Sequence, residues 1–428
     1  MIVTALDIGT HKVCCVIGRI HEEKQGRFVV EVLGAAKQSS AGVDAGRIVD
    51  MQALVGILRE VILEASKMAG VSPNSVYVNI NGEYVTCFNV KGIVSLSPSG
   101  QAQPIRRVDV ERVRESARNG LSLPTGQVIL HMVPQQFIVD DLPGVRNPVD
   151  MEGSKLEADF HVVTVPHTVI SNMNRLMELT GLRTARYILG PLAAAYGVTS
   201  DFEREQGVLI ADIGAGTTGI VIMKNQSVYH TAILPIGGEH FTLDIANVLN
   251  TSPTEAERLK RMIGAGYAHA LQSTPSSNND TTSDQESGDL VPVPTLEPRA
   301  TPQMVPRRKI AEIIEARAEE LLYYIHQTVE YVQMGDLFNR VVFTGGGALL
   351  HDLIGMASAV FESPIRLGYP INIEGLKDIV RSPVYAVACG MMQLVAHDEQ
   401  FRKQVHAQPR GWKRLWRWLR DMIPLLTL

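Results

Sequence analysis

Three glycine-rich turns carry the residue types best suited to chemistry. Asp7-Ile8-Gly9-Thr10-His11-Lys12 and Asp212-Ile213-Gly214-Ala215-Gly216-Thr217-Thr218 each place an acid just before a glycine turn, and Thr344-Gly345-Gly346-Gly347 forms the third. Glycine lets backbone N–H groups approach phosphate oxygens, because no Cβ intervenes and positive φ is cheap. A carboxylate beside such a turn can hold Mg²⁺ directly or through water, since that ion keeps several waters and takes few protein ligands. Two facing copies would clamp a triphosphate from both sides. Gly214, Gly216 and Gly219 also spell the dinucleotide-binding fingerprint, but that motif requires a helix after the turn. Here Gly219-Ile220-Val221-Ile222-Met223 reads as a strand, so a Rossmann site is not expected.

Each acid ends one apolar run and is followed, after the turn, by another, so both segments read as β-hairpins with Asp and Gly at the tip. The copies stand 205 positions apart, which indicates two related α/β lobes and not a short-period solenoid. Helical patterns at 52–69, 169–180, 254–262, 309–332 and 348–360 alternate with strands, as α/β lobes require. Residues 84–165 differ: short strands surround one helical stretch at 109–119, which reads as a small domain inserted in the first lobe.

The chain has 428 residues, about three domains' worth at a typical ~150 each, with 45% hydrophobic residues to build cores. A net charge of −5 argues against a nucleic-acid-coating protein. Cys14, Cys15, Cys87 and Cys389 form no metal-ligand or redox spacing, and Cys14 and Cys15 sit in an apolar run. A reducing compartment is expected. The first residues enter a strand with no signal-peptide layout, and no run of about 20 apolar residues is present, so a cytoplasmic protein with no membrane span is expected. Residues 273–288 hold no large apolar side chain and no Lys or Arg, and are expected to be disordered.

All three tryptophans, Trp412, Trp416 and Trp418, lie near the C-terminus. On a helical wheel Trp412, Leu415, Trp416, Leu419, Met422, Ile423 and Leu426 share one arc flanked by Trp418, while Lys413, Arg414, Arg417 and Arg420 lie opposite. From Arg410 onward there are five basic residues and one acid, on a chain that is otherwise acidic. A helix of that kind is too short to cross a bilayer of ~30 Å but suits its interface, where tryptophan keeps its N–H wet and basic residues meet anionic headgroups. Residues 396–411 read as a tether.

The ordered set of glycine turns resembles the actin-like ATPase superfamily and, within it, the FtsA family of bacterial cell-division proteins. Segments of the inserted block, Val133-Pro134-Gln135-Gln136-Phe137 and Gly144-Val145-Arg146-Asn147-Pro148, carry the likeness to FtsA in particular. The resemblance implies a two-lobed actin-like α/β fold with an inserted subdomain 1C and a C-terminal amphipathic helix. Residues 1–83 and 166–204 would form subdomain 1A around 1C at 84–165. Residues 205–253 and 339–380 would form 2A around 2B at 254–338, with 381–395 returning to 1A. A tether (396–411) and a membrane-targeting helix (412–428) would follow. The superfamily's ligands are ATP and Mg²⁺. Gly9, Thr10, His11 and Lys12 would form the first phosphate loop, Gly214, Ala215, Gly216, Thr217 and Thr218 the second, and Gly345, Gly346 and Gly347 the adenosine loop. Glu257 and Lys260 would face the adenosine, with Asp7 and Asp212 toward the metal.

By the same resemblance, Gly190-Pro191-Leu192-Ala193-Ala194-Ala195 and Ala386-Val387-Ala388-Cys389-Gly390 match the helices connecting the lobes. Several active superfamily members place Glu or Gln just before that proline to position water. Gly190 and Leu189 cannot do so, so tight binding with slow hydrolysis is expected. The family's partners are the tail of the tubulin-like protein FtsZ, with Arg317 and Glu320 as candidate contacts, further copies of itself, later divisome membrane proteins and the inner face of the plasma membrane at the division site. No nucleic acid is implied. A pilus-assembly scaffold of the PilM kind or an actin-fold small-molecule kinase are the alternatives; the tail helix distinguishes the first reading from both.

Overall fold

The computed structural model describes residues 1–23, 28–97, 99–264, 290–297 and 301–397. The polar stretch 273–288 and the tail residues Trp412, Lys413, Arg414, Leu415, Trp416, Arg417, Trp418, Leu419, Arg420 and Ile423 lie outside the described residues.

Two sheets repeat one topology. In the first lobe the hairpin Ile2–Ile8 and Lys12–Glu22 continues antiparallel into Phe28–Ser39, while Ser75–Ile80 and then Arg183–Leu189 join the opposite side in parallel. In the second lobe the hairpin Val208–Ile213 and Thr218–Lys224 continues into Ser227–Leu234, while Val341–Thr344 and Ile365–Leu367 add in parallel. The short strand Ile373–Gly375 returns from the second lobe and pairs with the edge of the first. Ile2–Ile8 and Val208–Ile213 are buried on both faces, which is why they read as continuous apolar runs.

Helices cover the outer faces. Met51–Ala69 starts at Asp50, whose carboxylate accepts from the N–H groups of Gln52 and Ala53, and stops at Gly70 in the left-handed region. It buries Leu54, Leu58 and Val61 against the first sheet, beside His167–Thr180. Gly238–Val248, Pro253–Ile263 and Arg307–Tyr331 cover the second. Where a single helix was expected over 348–360, the chain makes a short 3₁₀ turn at Gly347–Leu349 and the helix begins only at Leu353. Asp352 lies at φ +64°, which interrupts the helical path between them.

Between the sheets run Gly190–Val198 and Ala386–His397, whose core includes Val3, Ala5 and Val16 of the first sheet and Val208, Ile210 and Val221 of the second. Their backbones meet. A Cβ added at Gly390 would stand 1.7 Å from the Ala193 carbonyl oxygen, and one at Gly197 2.4 Å from that of Ala386. The second helix also runs further than expected. Ala396 is buried and the His397 ring lies 5.9 Å from that of Tyr196, so residues 396 and 397 belong to the helix and not to a tether.

The inserted block is a four-stranded antiparallel sheet ordered Leu142–Val145, Gln127–Val139, Lys155–Pro166, Thr86–Ser95. One face carries Leu156, Ala158, Phe160 and Val162, packed against Val113 and Ala117 of helix Arg107–Asn119. The register places His131, Val163 and Cys87 side by side on the other face, with His161 and Asn89 in the next row.

Substituting Gly390 with alanine drives a methyl group into the Ala193 carbonyl, and the connecting helices must separate. Overpacking of this kind is expected to cost about 3 kcal/mol, the upper end of the usual range, read as a lowered urea midpoint. An unshifted midpoint would contradict the backbone contact.

Candidate functional site

The two acid-bearing hairpins close with the same hydrogen bond. Gly9 N–H donates to the Lys12 carbonyl at 2.9 Å, and Gly214 N–H donates to that of Thr217 at 2.9 Å. Asp7 and Asp212 therefore hold equivalent positions, one strand residue before the turn begins, and both are buried. The tips face one another. A Cβ at Gly216 would come 2.8 Å from Thr10 Oγ1 of the other hairpin, so glycine lets the tips meet with that hydroxyl in place.

Lys12 donates to Asp7 across the base of the first hairpin. Asn79, buried in strand Ser75–Ile80, donates from Nδ2 to Asp7 Oδ1 at 2.8 Å, while its Oδ1 accepts from Ile8 N–H at 2.7 Å. One amide thus fixes both the acid and the strand that carries it. Burial, with the charge of Asp7 adding to it and Lys12 opposing both, pushes the Asp212 pKa up to about 7. Burial works against the Lys12 charge too, but Asp7 outweighs it and the ammonium stays protonated. Two buried carboxylates share one cation, an excess of negative charge that a hydrated divalent ion would neutralise.

The third glycine turn packs on the second hairpin. Gly345, at φ +84°, would bring a Cβ within 2.5 Å of Asp212 Oδ1. Helix Gly238–Val248 is tied to the same hairpin, with Gly238 N–H donating to Gly214 O and Glu239 N–H to Ala215 O, both at 2.9 Å. Lys260 Nζ reaches Gly238 O at 2.8 Å and Thr242 Oγ1 at 2.9 Å, and pairs with Glu257. Burial would raise the Glu257 pKa, but Lys260, the Thr242 hydroxyl and Arg261 together hold it down to about 2. Glu257 and Lys260 are therefore a bonded, half-buried pair beside the second and third turns, not a solvated helix face.

The structure brings together Asp7, Gly9, Thr10 and Lys12 with Asp212, Gly214, Gly216 and Thr217, and the second hairpin in turn joins Gly345, Gly347, Glu257 and Lys260. His11 and Gly346 are exposed at the turns, Ala215 is half-buried and Thr218 is fully buried with its hydroxyl on Ile236 O. Gly190 lies beside the cluster, its Cβ direction 3.7 Å from Asn79 Nδ2, so no carboxylate or amide projects from that position. Arg317 and Glu320 lie apart, on Arg307–Tyr331. There Arg317 Nε meets Asp244 Oδ2 at 2.6 Å and Nη2 meets Oδ1 at 2.9 Å, and it also pairs with Glu320. Sequence reasoning missed Asn79 and the Gly237-Gly238 helix start. The available signals were an asparagine inside an apolar strand and two glycines after one.

A family model described as cell division protein FtsA matches residues 209–390, and one described as the SHS2 domain inserted in FtsA matches 82–164. Cell division protein FtsA of Pseudomonas aeruginosa is 33% identical over 391 residues, covering 91% of this chain and 88% of that protein. The chain belongs to the FtsA family. The FtsA of Escherichia coli is 30% identical, with 98% of this chain and 97% of that one covered, and the FtsA of Bacillus subtilis is 30% identical, with 93% and 84% covered. Among solved structures, a chain of the PilM–PilN type IV pilus biogenesis complex aligns with TM-score 0.64 at 18% identity, covering 92% of this chain and 98% of that one. MreB5 of Spiroplasma citri, bound to ADP, aligns with TM-score 0.50 at 14% identity, covering 95% and 98%. These likenesses establish the actin-like fold, and the FtsA family accounts for the inserted sheet. The FtsA proteins are cell-division proteins. Among the described residues no helix is long and apolar enough to cross a membrane.

Acid should weaken the fold in a way that separates these groups. Burial lowers His131 to about 4 and His161 to about 3, with positive neighbours adding to it. Unfolded histidine titrates near ~6.5, so between pH 7 and 5 the unfolded chain takes up protons that the folded chain refuses. Stability then falls by about 2 kcal/mol per histidine. Asp212 acts oppositely, because its raised pKa binds a proton in the folded state and offsets about 2 kcal/mol of that loss. Urea titrations without added metal or nucleotide should show a loss of about 4 kcal/mol over this range in Asp212→Asn and about half that in the unaltered chain. Equal losses would contradict the raised Asp212.

Proposed function

We propose that this protein binds Mg²⁺–ATP between its lobes and serves as a membrane adaptor of the division machinery. The observation that carries the nucleotide reading is the pair of equivalent hairpin tips meeting at Thr10 and Gly216, each backed by a buried acid. Loop amides around Gly9 and Gly214, with Lys12, would hold phosphate, and Lys260, Glu257 and the Gly345–Gly347 turn would face the nucleoside. The carboxylates Asp7 and Asp212 fit the oxygen-rich shell of Mg²⁺, which when bound neutralises phosphate charge. The position before Pro191 offers no side chain to orient water, so ATP acts mainly as a conformational ligand that favours self-association and hydrolysis is slow. MreB5, whose solved structure holds ADP, shares the fold and is consistent with this reading.

The adaptor reading rests on membership of the FtsA family and on the basic, tryptophan-bearing segment 412–428 of the sequence. That segment would lie in the anionic inner leaflet of the plasma membrane at the division site, while the lobes engage the FtsZ tail and later division proteins. Arg317 and Glu320 are the proposed FtsZ-tail contacts. Asp244 holds Arg317 by two hydrogen bonds, so an acidic tail segment would bind by competing for a guanidinium already oriented by that pair.

Two measurements test these readings. A fluorescent ATP analogue should bind in the presence of Mg²⁺, and Lys12→Ala should weaken it by at least tenfold. Phosphate release from the unaltered protein should stay far below one turnover per second. Absence of binding, or brisk turnover, would overturn the first reading. A fluorescently tagged chain ending at Gln408 should become diffuse in cells where the full chain marks midcell membrane; unchanged localisation would sink the second.

A further inference from the structure

The edge of the first sheet, where the strand Ile373–Gly375 joins it, carries a side-chain cluster that the cleft does not use. The register sets Arg19 opposite Glu31 and His21 opposite Val29, and Glu374 of the edge strand beside Glu31. Cross-strand partners share a face, so Arg19, His21, Glu31 and Glu374 stand on one side of the sheet. One ring nitrogen of His21 and one carboxylate oxygen each of Glu23 and Glu374 lie within 4.8 Å of one another. Along its strand His21 is nine residues from Lys12, roughly 30 Å at ~3.3 Å per residue, so this cluster is separate from the acids of the cleft.

Its charges are unbalanced. Arg19 Nη1 meets Glu31 at 3.0 Å, but among the described residues Glu23 and Glu374 have no cationic partner. The half-buried His21 has no hydrogen bond on either ring nitrogen, and its Nδ1 is fully buried. Two carboxylates gathered at an unbonded imidazole repel one another, and a shared cation removes that repulsion. The donor set selects the ion. Imidazole nitrogen suits zinc and its neighbours, whereas Mg²⁺ and Ca²⁺ take oxygen shells. Zinc holds nitrogen and carboxylate oxygen at about 2.0–2.2 Å, and three protein ligands leave its fourth position to water. Glu23 and Glu374 are exposed, so small side-chain rotations close the donors onto an ion. The strand that brings Glu374 here has only three residues, with Asn372 before it at φ +53° and Gly375 at its end at φ +73°, so few ladder bonds hold it.

We propose that His21, Glu23 and Glu374 bind one divalent ion of the zinc class, and that the ion pins the strand returning from the second lobe to the end of Lys12–Glu22. The ion braces the point where the chain crosses back between the lobes. Neither the nucleotide reading nor the adaptor reading is needed for this site.

The probe is Zn²⁺ alone, dialysed to equilibrium against the full chain in excess Mg²⁺. The unaltered chain should retain one tightly held zinc ion. His21→Ala and Glu374→Gln should each weaken it at least ~10-fold, since losing even an outer-shell partner of a metal costs that much, while Asp212→Asn in the cleft should leave it unchanged. Should His21→Ala lower the urea midpoint, Glu23→Gln beyond the strand end gives the same readout. Leu376 N–H donates to Val32 O at 3.0 Å just after the edge strand. Hydrogen exchange at the peptide containing that amide should slow about fivefold or more when zinc is added to the unaltered chain, and stay unchanged in Glu374→Gln. No zinc retained by the unaltered chain, or zinc held equally by the three site variants, overturns the site. Exchange at Leu376 that is indifferent to zinc overturns the pinning.

Discussion

The close crossing of Gly190–Val198 and Ala386–His397 is the constraint on which the rest of the molecule depends. Both helices are fully apolar or small along their contact, and Gly197 and Gly390 let the two backbones touch. That contact fixes how far apart the two sheets stand. The sheets are near-repeats, so the same spacing brings their equivalent hairpin tips into opposition, Thr10 against Gly216. A wider crossing would leave two unrelated glycine turns facing water. The cleft chemistry is thus a consequence of packing some distance away, and it tolerates little change there because close-packed interiors pass displacement on.

Electrostatics then divides the two equivalent acids. Asp7 has Lys12 and Asn79 as direct partners, whereas Asp212 is buried close to the Asp7 charge. One lysine cannot balance two buried carboxylates, which leaves the site receptive to a further cation. The nearby Glu257–Lys260 pair is internally balanced and bonded to Thr242 and Gly238, so it contributes shape and hydrogen bonding with little net charge. Around these groups the FtsA family adds an inserted sheet with one face sealed by its own helix and the other meeting both lobes through buried Val163 and the hydrogen bonds of His131 and His161.

Much of this was legible in the residues. The strings at Asp7 and Asp212 gave the duplicated hairpin, because strands buried on both faces read as unbroken apolar runs ending in a turn. The helical pattern at 52–69 was legible too, while its Asp50 cap and Gly70 stop came with the structure. The interrupted helix before Leu353 and the helical Ala396 and His397 were not legible. Asp352 adopts a positive φ that no local pattern announces, and Ala396 is helical because it packs on the neighbouring connecting helix.

By itself, then, the sequence determined the elements and their repetition: period-two and 3.6-residue patterns, caps and glycine turns are local, and local chemistry is enough to specify them. It also determined the basic, tryptophan-bearing tail segment, whose amphipathic wheel needs no tertiary context. Only the tertiary structure decided which residues meet. Asn79 lies 72 positions from Asp7, and His161 lies 70 from Thr231. Their hydrogen bonds follow from strand order and from the distance between two sheets, quantities set by the whole packed core and by no single segment of the chain.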